Sequence, residues 1–316
     1  MAIKRMLTDL LFDYVFKKTF SFRSDGSPFL DYPSPVIFNI DQEPFSFYSN
    51  KWKLFGHIYF DKKYRGSYKA KVIFFHGLGA GHTAYSYEIA QIAKQGFLVY
   101  CFDYTGCMES EGETIISLAN ATLDMDAFFL YLQENDTYPN LPFYSIGHSW
   151  GGFLSFLSLD KKYNVSKAIS LAGFPSLSFI FSSSSSFAKK HENGIRKYLQ
   201  KRYGDLAIKD SFLLASSSNK PYMYIQGDKD ETVPFNLTFP YMEKLSKGNK
   251  NASILVSRDR GHQPYWSVST YKYFLSLINE GKILSPTHSS KIEFDYSYFK
   301  NDDMDVLKAM FDFLYK

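Results

Sequence analysis

The sequence has few cysteines, a small net charge and no long apolar run, and each shortage excludes a class of protein. Its 316 residues include two cysteines, Cys101 and Cys107, which are too few for a disulfide framework and lack metal-site spacing, so both are expected to be reduced. The formal net charge of +4 does not indicate a nucleic-acid-binding surface. The 19 glycines and 12 prolines are too few for a collagen-like or low-complexity chain.

No stretch reaches the roughly 18 consecutive apolar residues that a membrane-spanning helix needs. The N-terminus begins like a signal peptide, but Asp9 and Asp13 interrupt its apolar stretch and no small-residue cleavage site follows. The apolar period there instead predicts an amphipathic helix packed on the domain. Its apolar members are Ile3, Met6, Leu7, Leu10, Leu11, Tyr14 and Val15. The chain is therefore predicted to be cytoplasmic and to have no membrane span.

Aromatic residues, in contrast, are abundant: 31 Phe, 25 Tyr and 3 Trp, which excludes a disordered chain. Short strands are predicted at 36–40, 45–48 and 53–60, and buried strands then alternate with helices. The buried strands are expected at 71–76, 97–102, 143–147, 167–172, 222–226 and 253–257. This alternation predicts an α/β fold whose mostly parallel central sheet has helices on both faces. Residues 1–50 are predicted to form an N-terminal helix and first strands packed on a domain of residues 51–316, which carries an insertion at about 175–220.

The strongest chemical signal is the segment Gly147-His148-Ser149-Trp150-Gly151. It follows the predicted strand FYSI and precedes a predicted helix. A strand, a sharp turn and a helix together lift a serine hydroxyl out of a sheet, and small residues flank it because the turn is cramped. Ser149 is therefore the candidate nucleophile.

A serine hydroxyl is a weak nucleophile, so it needs a base, and the base needs an acid to orient it. His262 follows the strand SILVS, at the end of the sheet where open α/β sheets keep their sites. The loop after the strand YMYI offers Asp230, with Asp228 as the alternative. Glu231 and Asp259 are expected to be solvated.

The order Ser149, Asp230, His262 is that of the α/β-hydrolase fold, and the chain resembles the serine esterase and S33 aminopeptidase-like branch of that superfamily from about Gly56 to the C-terminus. The resemblance rests on HGLG (76–79), FDYTG (102–106), GHSWG (147–151), GDKDETVP (227–234) and GH (261–262). It implies an oxyanion hole formed by the backbone N–H groups of Leu78 and Trp150. The sequence departs from the usual Gly-x-Gly-x-Ser pattern at 106–110, which leaves the conformation of that loop open.

The insertion at 175–220 falls where this superfamily places its lid, and its net charge is positive. It either steers anionic substrates or forms a solvated helix face. Aromatic residues near the proposed site could line an acyl pocket, and those in the insertion could equally pin the lid to the domain. These candidate substrate-binding residues are Phe174, Phe179, Phe181, Tyr265 and Trp266.

The sequence therefore predicts a serine hydrolase that cleaves a small-molecule carboxylic ester through an acyl-enzyme intermediate. No metal or organic cofactor is implied. An aminopeptidase, a thioesterase or an acyltransferase on the same triad is the alternative, and a catalytically silent binding protein is the rival from another class. The sequence leaves the oligomeric state open.

Overall fold

The computed structural model describes residues 2–28, 30–184, 186–281, 295 and 297–316. In this part of the chain, eight strands form one sheet in the order β1-β2-β4-β3-β5-β6-β7-β8. Its strands are β1 (Asp41–Ser49), β2 (Trp52–Phe60), β3 (Lys71–Phe75), β4 (Leu98–Phe102), β5 (Phe143–His148), β6 (Lys167–Leu171), β7 (Tyr222–Gly227) and β8 (Ala252–Ser257). β2 pairs antiparallel with both β1 and β4, and every other pairing is parallel.

Successive residues of the central strands face opposite sides of the sheet because side chains alternate along a strand. In β3, Ile73 and Phe75 belong to one apolar cluster, and Val72 and Phe74 belong to another. All five residues of β3 are buried. The near-continuous apolar runs at β3 to β7 therefore correspond to strands that are covered on both faces. The run at 253–257 differs, since β8 lies at the edge of the sheet and is half-buried over most of its length.

Helices cover both faces of the sheet. They are α1 (Ala2–Thr19), α2 (Ser86–Lys94), α3 (Asn120–Asn135), α4 (Trp150–Leu157), α5 (Leu177–Ser184), α6 (Ser186–Lys190), α7 (Glu192–Tyr203), α8 (Ser211–Ser217), α9 (Phe235–Ser246), α10 (Val268–Asn279) and α11 (Met304–Tyr315). Residues of α2 and α11 share one apolar cluster, and residues of α1, α3, α4, α7 and α8 share the other.

Two expectations about the N-terminal part are wrong. The segment predicted as a strand at 36–40 contains a 3-10 helix, Pro35–Phe38, since proline at its first position favours a helical turn. The N-terminal helix is present, but Leu10, Leu11 and Tyr14 are exposed. Its buried face instead carries Phe12 and Phe16, because these larger rings pack on the insertion.

The insertion between β6 and β7 consists of α5 to α8 and packs against α1. The Phe16 ring lies 5.3 Å from that of Phe181 and 5.2 Å from that of Tyr198. Two of the basic residues in the insertion form ion pairs outside it, Arg202 with Asp13 and Lys209 with Asp160. These contacts attach the insertion to the N-terminal helix and to the domain.

Candidate active site

Ser149 lies at a sharp turn between β5 and α4. Its backbone has φ 56° and ψ −115°, a sparsely populated conformation that non-glycine residues adopt when surrounding structure enforces it. Both flanking glycines are required for space. A Cβ on Gly147 would lie 2.1 Å from the carbonyl oxygen of Gly151, and a Cβ on Gly151 would lie 1.9 Å from that of Phe75. The turn therefore depends on the small residues that the sequence pattern contains.

An acid and an imidazole meet at the carboxyl ends of β7 and β8. The Nδ1–H of His262 donates to both carboxylate oxygens of Asp230, at 3.1 and 3.0 Å. Asp230 is 3% exposed and also accepts the backbone N–H groups of Thr232 and Val233, each at 3.0 Å. These bonds fix the carboxylate, and His262 lines a cavity, with no hydrogen bond to its Nε2 among those of the described residues.

Asp228, the alternative acid, has a different role in the structure. Its carboxylate accepts the backbone N–H of Asp259 at 2.7 Å and lies 3.6 Å from the Arg258 guanidinium. These contacts hold the loops after β7 and β8 together. Glu231 and Asp259 are exposed, as expected.

The loop after β3 is held by hydrogen bonds on both sides of Leu78. The N–H of Gly77 donates to Tyr85 Oη at 3.0 Å, and its carbonyl accepts Nδ1–H of His76 at 2.7 Å. Burial lowers the pKa of His76 to about 4, so its ring is neutral. On the other side, the N–H of Gly79 donates to Ser24 Oγ at 2.9 Å. The N–H of Trp150 lies in the first turn of α4, where backbone N–H groups have no intrahelical acceptor.

A buried hydrogen-bond chain links three of the site's loops. His148 Nε2 lies 2.8 Å from the carbonyl oxygen of His262, and its Nδ1 lies 2.8 Å from Tyr85 Oη. Burial, and then the neighbouring imidazole of His262, holds the pKa of His148 well below its ordinary value. A neutral ring carries one N–H, and a carbonyl can only accept. Nε2–H therefore donates to His262, and Tyr85 Oη–H donates to Nδ1.

Ser149 and His262 line the same cavity, which has a volume of about 1380 Å³. Among the hydrogen bonds of the described residues, none joins these two side chains, and in unliganded enzymes such bonds are often long. Leu78, Tyr85 and His148 also line the cavity. Most of the remaining wall is apolar and includes Phe22, Leu30, Ile37, Phe38, Trp266 and Phe274.

The predicted pocket residues separate into two groups. Tyr265 and Trp266 line the cavity. Phe174, Phe179 and Phe181 are not among the described residues that line it, which corrects that expectation. Phe174 is 2% exposed and stacks on Phe153 at 5.1 Å, while Phe179 and Phe181 pack against the core, so the aromatics of the insertion pin it to the domain.

Sequence reasoning missed the wall that residues 22–28 and 30–38 contribute to the cavity. No motif marks this segment. Its glycine, serines and prolines, at Gly26, Ser27, Pro28, Pro33 and Pro35, indicate an irregular connection. They do not indicate what it covers, because composition carries no information about which surface a loop contacts.

Two further properties concern metals and membranes. No group of three or more His, Cys, Asp or Glu side chains in the described residues could hold a metal ion. Within the same part of the chain, none of the helices has the length and apolar character needed to cross a membrane. Both cysteines are free and buried, and the cytoplasmic location stays a prediction.

Residues 66–255 match a family model described as serine aminopeptidase, S33. A monoglyceride lipase of Rattus norvegicus is 31% identical over 98 residues, which make up 31% of this chain and 32% of that protein. The match thus spans about a third of the curated relative.

Solved structures show a similar fold. An esterase of Pyrococcus furiosus has a TM-score of 0.58 and 18% identity, covering 83% of this chain and 98% of that one. Est1E of Butyrivibrio proteoclasticus, solved with ferulic acid bound, has a TM-score of 0.54 and 17% identity, covering 75% of this chain and 96% of that one. Identities this low show a shared fold alone.

Proposed function

The chain belongs to the serine aminopeptidase S33 family, whose model matches more than half of its residues, and from this premise we propose that it is a serine hydrolase that cleaves carboxylic esters through an acyl-enzyme intermediate. One observation carries the proposal. The strained turn at Ser149 and the Asp230–His262 pair open onto the same largely apolar cavity. The esterase and lipase names of the similar proteins support the choice of an ester bond.

In the proposed reaction, Ser149 Oγ attacks the ester carbonyl carbon while its proton moves to Nε2 of His262. Asp230 holds the imidazole by Nδ1–H and stabilises the imidazolium that forms. The N–H groups of Leu78 and Trp150 bind the oxyanion. When the C–O bond breaks, the alcohol leaves with the proton from His262. Water then attacks the acyl-enzyme by the same route and releases the carboxylic acid and Ser149.

The cavity favours an ester with a long apolar acyl group. Its volume of about 1380 Å³ exceeds the roughly 300–1,000 Å³ of common small-molecule sites. Each methylene buried in it contributes about 0.8 kcal/mol, which corresponds to a factor of about four in kcat/KM.

Of the three described carboxyl groups on the cavity wall, two are poorly suited to bind the ammonium group of an aminopeptidase substrate. A substrate ammonium would need a carboxylate, but Asp25 pairs with Arg23 at 2.9 Å. Glu88 also lines the cavity, and burial raises its pKa to about 8. Glu88 is therefore mostly neutral at pH 7. Asp31 is a third carboxyl on the wall, so an Asp31→Asn variant tests whether any aminoacyl substrate uses it.

Labelling with a fluorophosphonate tests the nucleophile. We expect the wild-type protein to be labelled, Ser149→Ala to be unlabelled, and the control Ser217→Ala on α8 to be labelled like wild type. Equal labelling of Ser149→Ala would remove Ser149 from the mechanism. An unlabelled wild-type protein would favour the silent binding protein.

Hydrolysis of p-nitrophenyl esters from acetate to palmitate tests the substrate class, with aminoacyl anilides and acyl-CoA thioesters alongside. We expect kcat/KM to rise with acyl length, by up to about fourfold per methylene. Faster cleavage of the anilides or thioesters would replace the ester proposal by the corresponding alternative.

A further inference from the structure

Ser24 lies between α1 and β1 and contacts the loop that carries Leu78. It is 4% exposed. Its hydroxyl accepts the N–H of Gly79 at 2.9 Å and lies 2.8 Å from the Gly79 carbonyl oxygen, to which it donates. One side chain from the N-terminal segment thus bonds both backbone groups of the residue that follows the proposed oxyanion donor.

Ser24 is itself fixed in place. Its N–H donates to the carbonyl of Gly106 at 2.9 Å. The neighbouring Arg23 guanidinium donates to the carbonyl oxygens of Met108, Ser110 and Gly112. Charge-assisted bonds of this kind are stronger than neutral ones, so the segment is attached firmly to residues 106–112.

The backbone next to Leu78 has few other restraints besides the hydrogen bonds from Ser24. The peptide plane between Gly77 and Leu78 contains the N–H of Leu78 and, in the described part of the chain, is held only at its carbonyl end, where the Gly77 oxygen accepts Nδ1–H of His76. The next plane contains the N–H of Gly79, and that N–H ends on Ser24. Gly79 has φ 144°, and nothing lies within 4 Å of the Cβ position. Side-chain packing therefore does not restrain this glycine, and the Ser24 hydroxyl does.

We propose that Ser24 is a positioning residue that fixes the Gly79 peptide and thereby aims the N–H of Leu78 at the oxyanion. The inference rests on the proposed function. Ser24 lies on the wall of the cavity, and the role proposed for it acts through the backbone of Gly79. Losing an oxyanion donor costs about 10²–10³ in rate, and a donor that is present but less well aimed should cost less. We expect Ser24→Ala to lower kcat about ten- to hundredfold.

The test compares Ser24→Ala, Ser24→Cys and Ser24→Thr with a control, Ser21→Ala. Ser21 lies on the same segment, is exposed and bonds the carbonyl of Lys18. Cysteine is somewhat larger than serine and is a weak hydrogen-bonding group, so the Ser24→Cys variant leaves no cavity and should fold even if the alanine variant does not. Threonine keeps the hydroxyl and should restore most of kcat.

Two ligands separate positioning from a structural role. A long-chain alkyl boronic acid forms a tetrahedral adduct with Ser149 and occupies the oxyanion hole. A matching alkyl ether has no carbonyl and occupies the cavity alone. For Ser24→Ala and Ser24→Cys, we expect boronic acid affinity to fall with kcat, while KM and ether affinity stay within about threefold of wild type.

The inference is wrong if both variants keep kcat within twofold of wild type. It is also wrong if ether and boronic acid affinities fall equally, since that would show a collapsed cavity. A wild-type protein that neither reacts with fluorophosphonate nor hydrolyses esters would overturn the proposed function, and the role of Ser24 with it. Normal wild-type labelling with an unaffected kcat in the variants would overturn the role of Ser24 alone.

Discussion

A buried pair of carboxyl groups beside the cavity predicts that stability falls as pH rises. Glu88 on α2 is 5% exposed, and Asp302 before α11 is 4% exposed. In the described residues, neither carboxylate oxygen of Asp302 has a hydrogen-bond partner. Burial raises the pKa of Glu88 from 4.5 to about 8. Burial and then the charge of Glu88 raise the pKa of Asp302 well above its ordinary value.

The direction and magnitude of this change in stability with pH follow from proton linkage. Between pH 4.5 and about 8, folded Glu88 holds a proton that the unfolded chain has released. The free energy of unfolding therefore falls with rising pH, by about 1.4 kcal/mol per pH unit for one group. From pH 5 to pH 7 this amounts to about 3 kcal/mol, a large part of the roughly 5–15 kcal/mol that stabilises a typical domain.

Glu88→Gln keeps the size of the side chain and removes the titration. We expect its free energy of unfolding, relative to wild type, to increase by about 3 kcal/mol between pH 5 and pH 7. The assay is urea denaturation followed by circular dichroism at pH 5, 6, 7 and 8. Glu134→Gln, at an exposed position on α3, is the control and should follow wild type at every pH. A difference between Glu88→Gln and wild type that does not change with pH would refute the reasoning.

Three further predictions concern the site. Asp230→Asn should lower kcat for ester hydrolysis by about 10⁴, because the amide favours the wrong imidazole tautomer. The control Asp228→Asn should keep kcat within about tenfold of wild type, and equal losses in the two variants would show that the acid is misassigned. Tyr85→Phe leaves the N–H of Gly77 and Nδ1 of His148 without their hydrogen-bond partner, so the free energy of unfolding measured by urea denaturation should fall by about 2–4 kcal/mol. An unchanged free energy of unfolding would contradict the hydrogen-bond chain. Leu30→Trp should narrow the cavity and move the preferred p-nitrophenyl ester to a shorter acyl chain with the acetate rate unchanged; an unmoved optimum would show that Leu30 does not face the acyl chain.

The α/β-hydrolase fold and the family were predictable from the sequence, and both predictions are confirmed. Near-continuous apolar runs require cover on both faces of a sheet, and the structure has that cover at β3 to β7. The local signals were less reliable in the N-terminal part. There the apolar period at Leu10, Leu11 and Tyr14 did not identify the buried face, because the insertion that packs on α1 lies far along the chain.

In the candidate site, too, some residues could be chosen from the sequence and others could not. Ser149, Asp230 and His262 could be chosen from the sequence because each follows a recognisable strand, and parallel strands end at the same edge of the sheet. Choosing Asp230 over Asp228 required an assumption about the loop. In the structure His262 contacts Asp230, since Asp228 bonds the neighbouring loop instead. The triad itself stays a prediction until the variants are measured.

The sequence by itself determined the strands of the sheet, the order of Ser149, Asp230 and His262 along the chain, and the cramped turn at Ser149. These features depend on short-range sterics and on the pattern of residues along single strands. Only the tertiary structure decided that residues 22–28 and 30–38 contribute to the cavity wall, whereas the described aromatics of the insertion do not. Only the tertiary structure, likewise, placed Ser24 on Gly79, 55 residues away. The physical reason is that such contacts depend on the path of the whole chain, which no local pattern of residue types records.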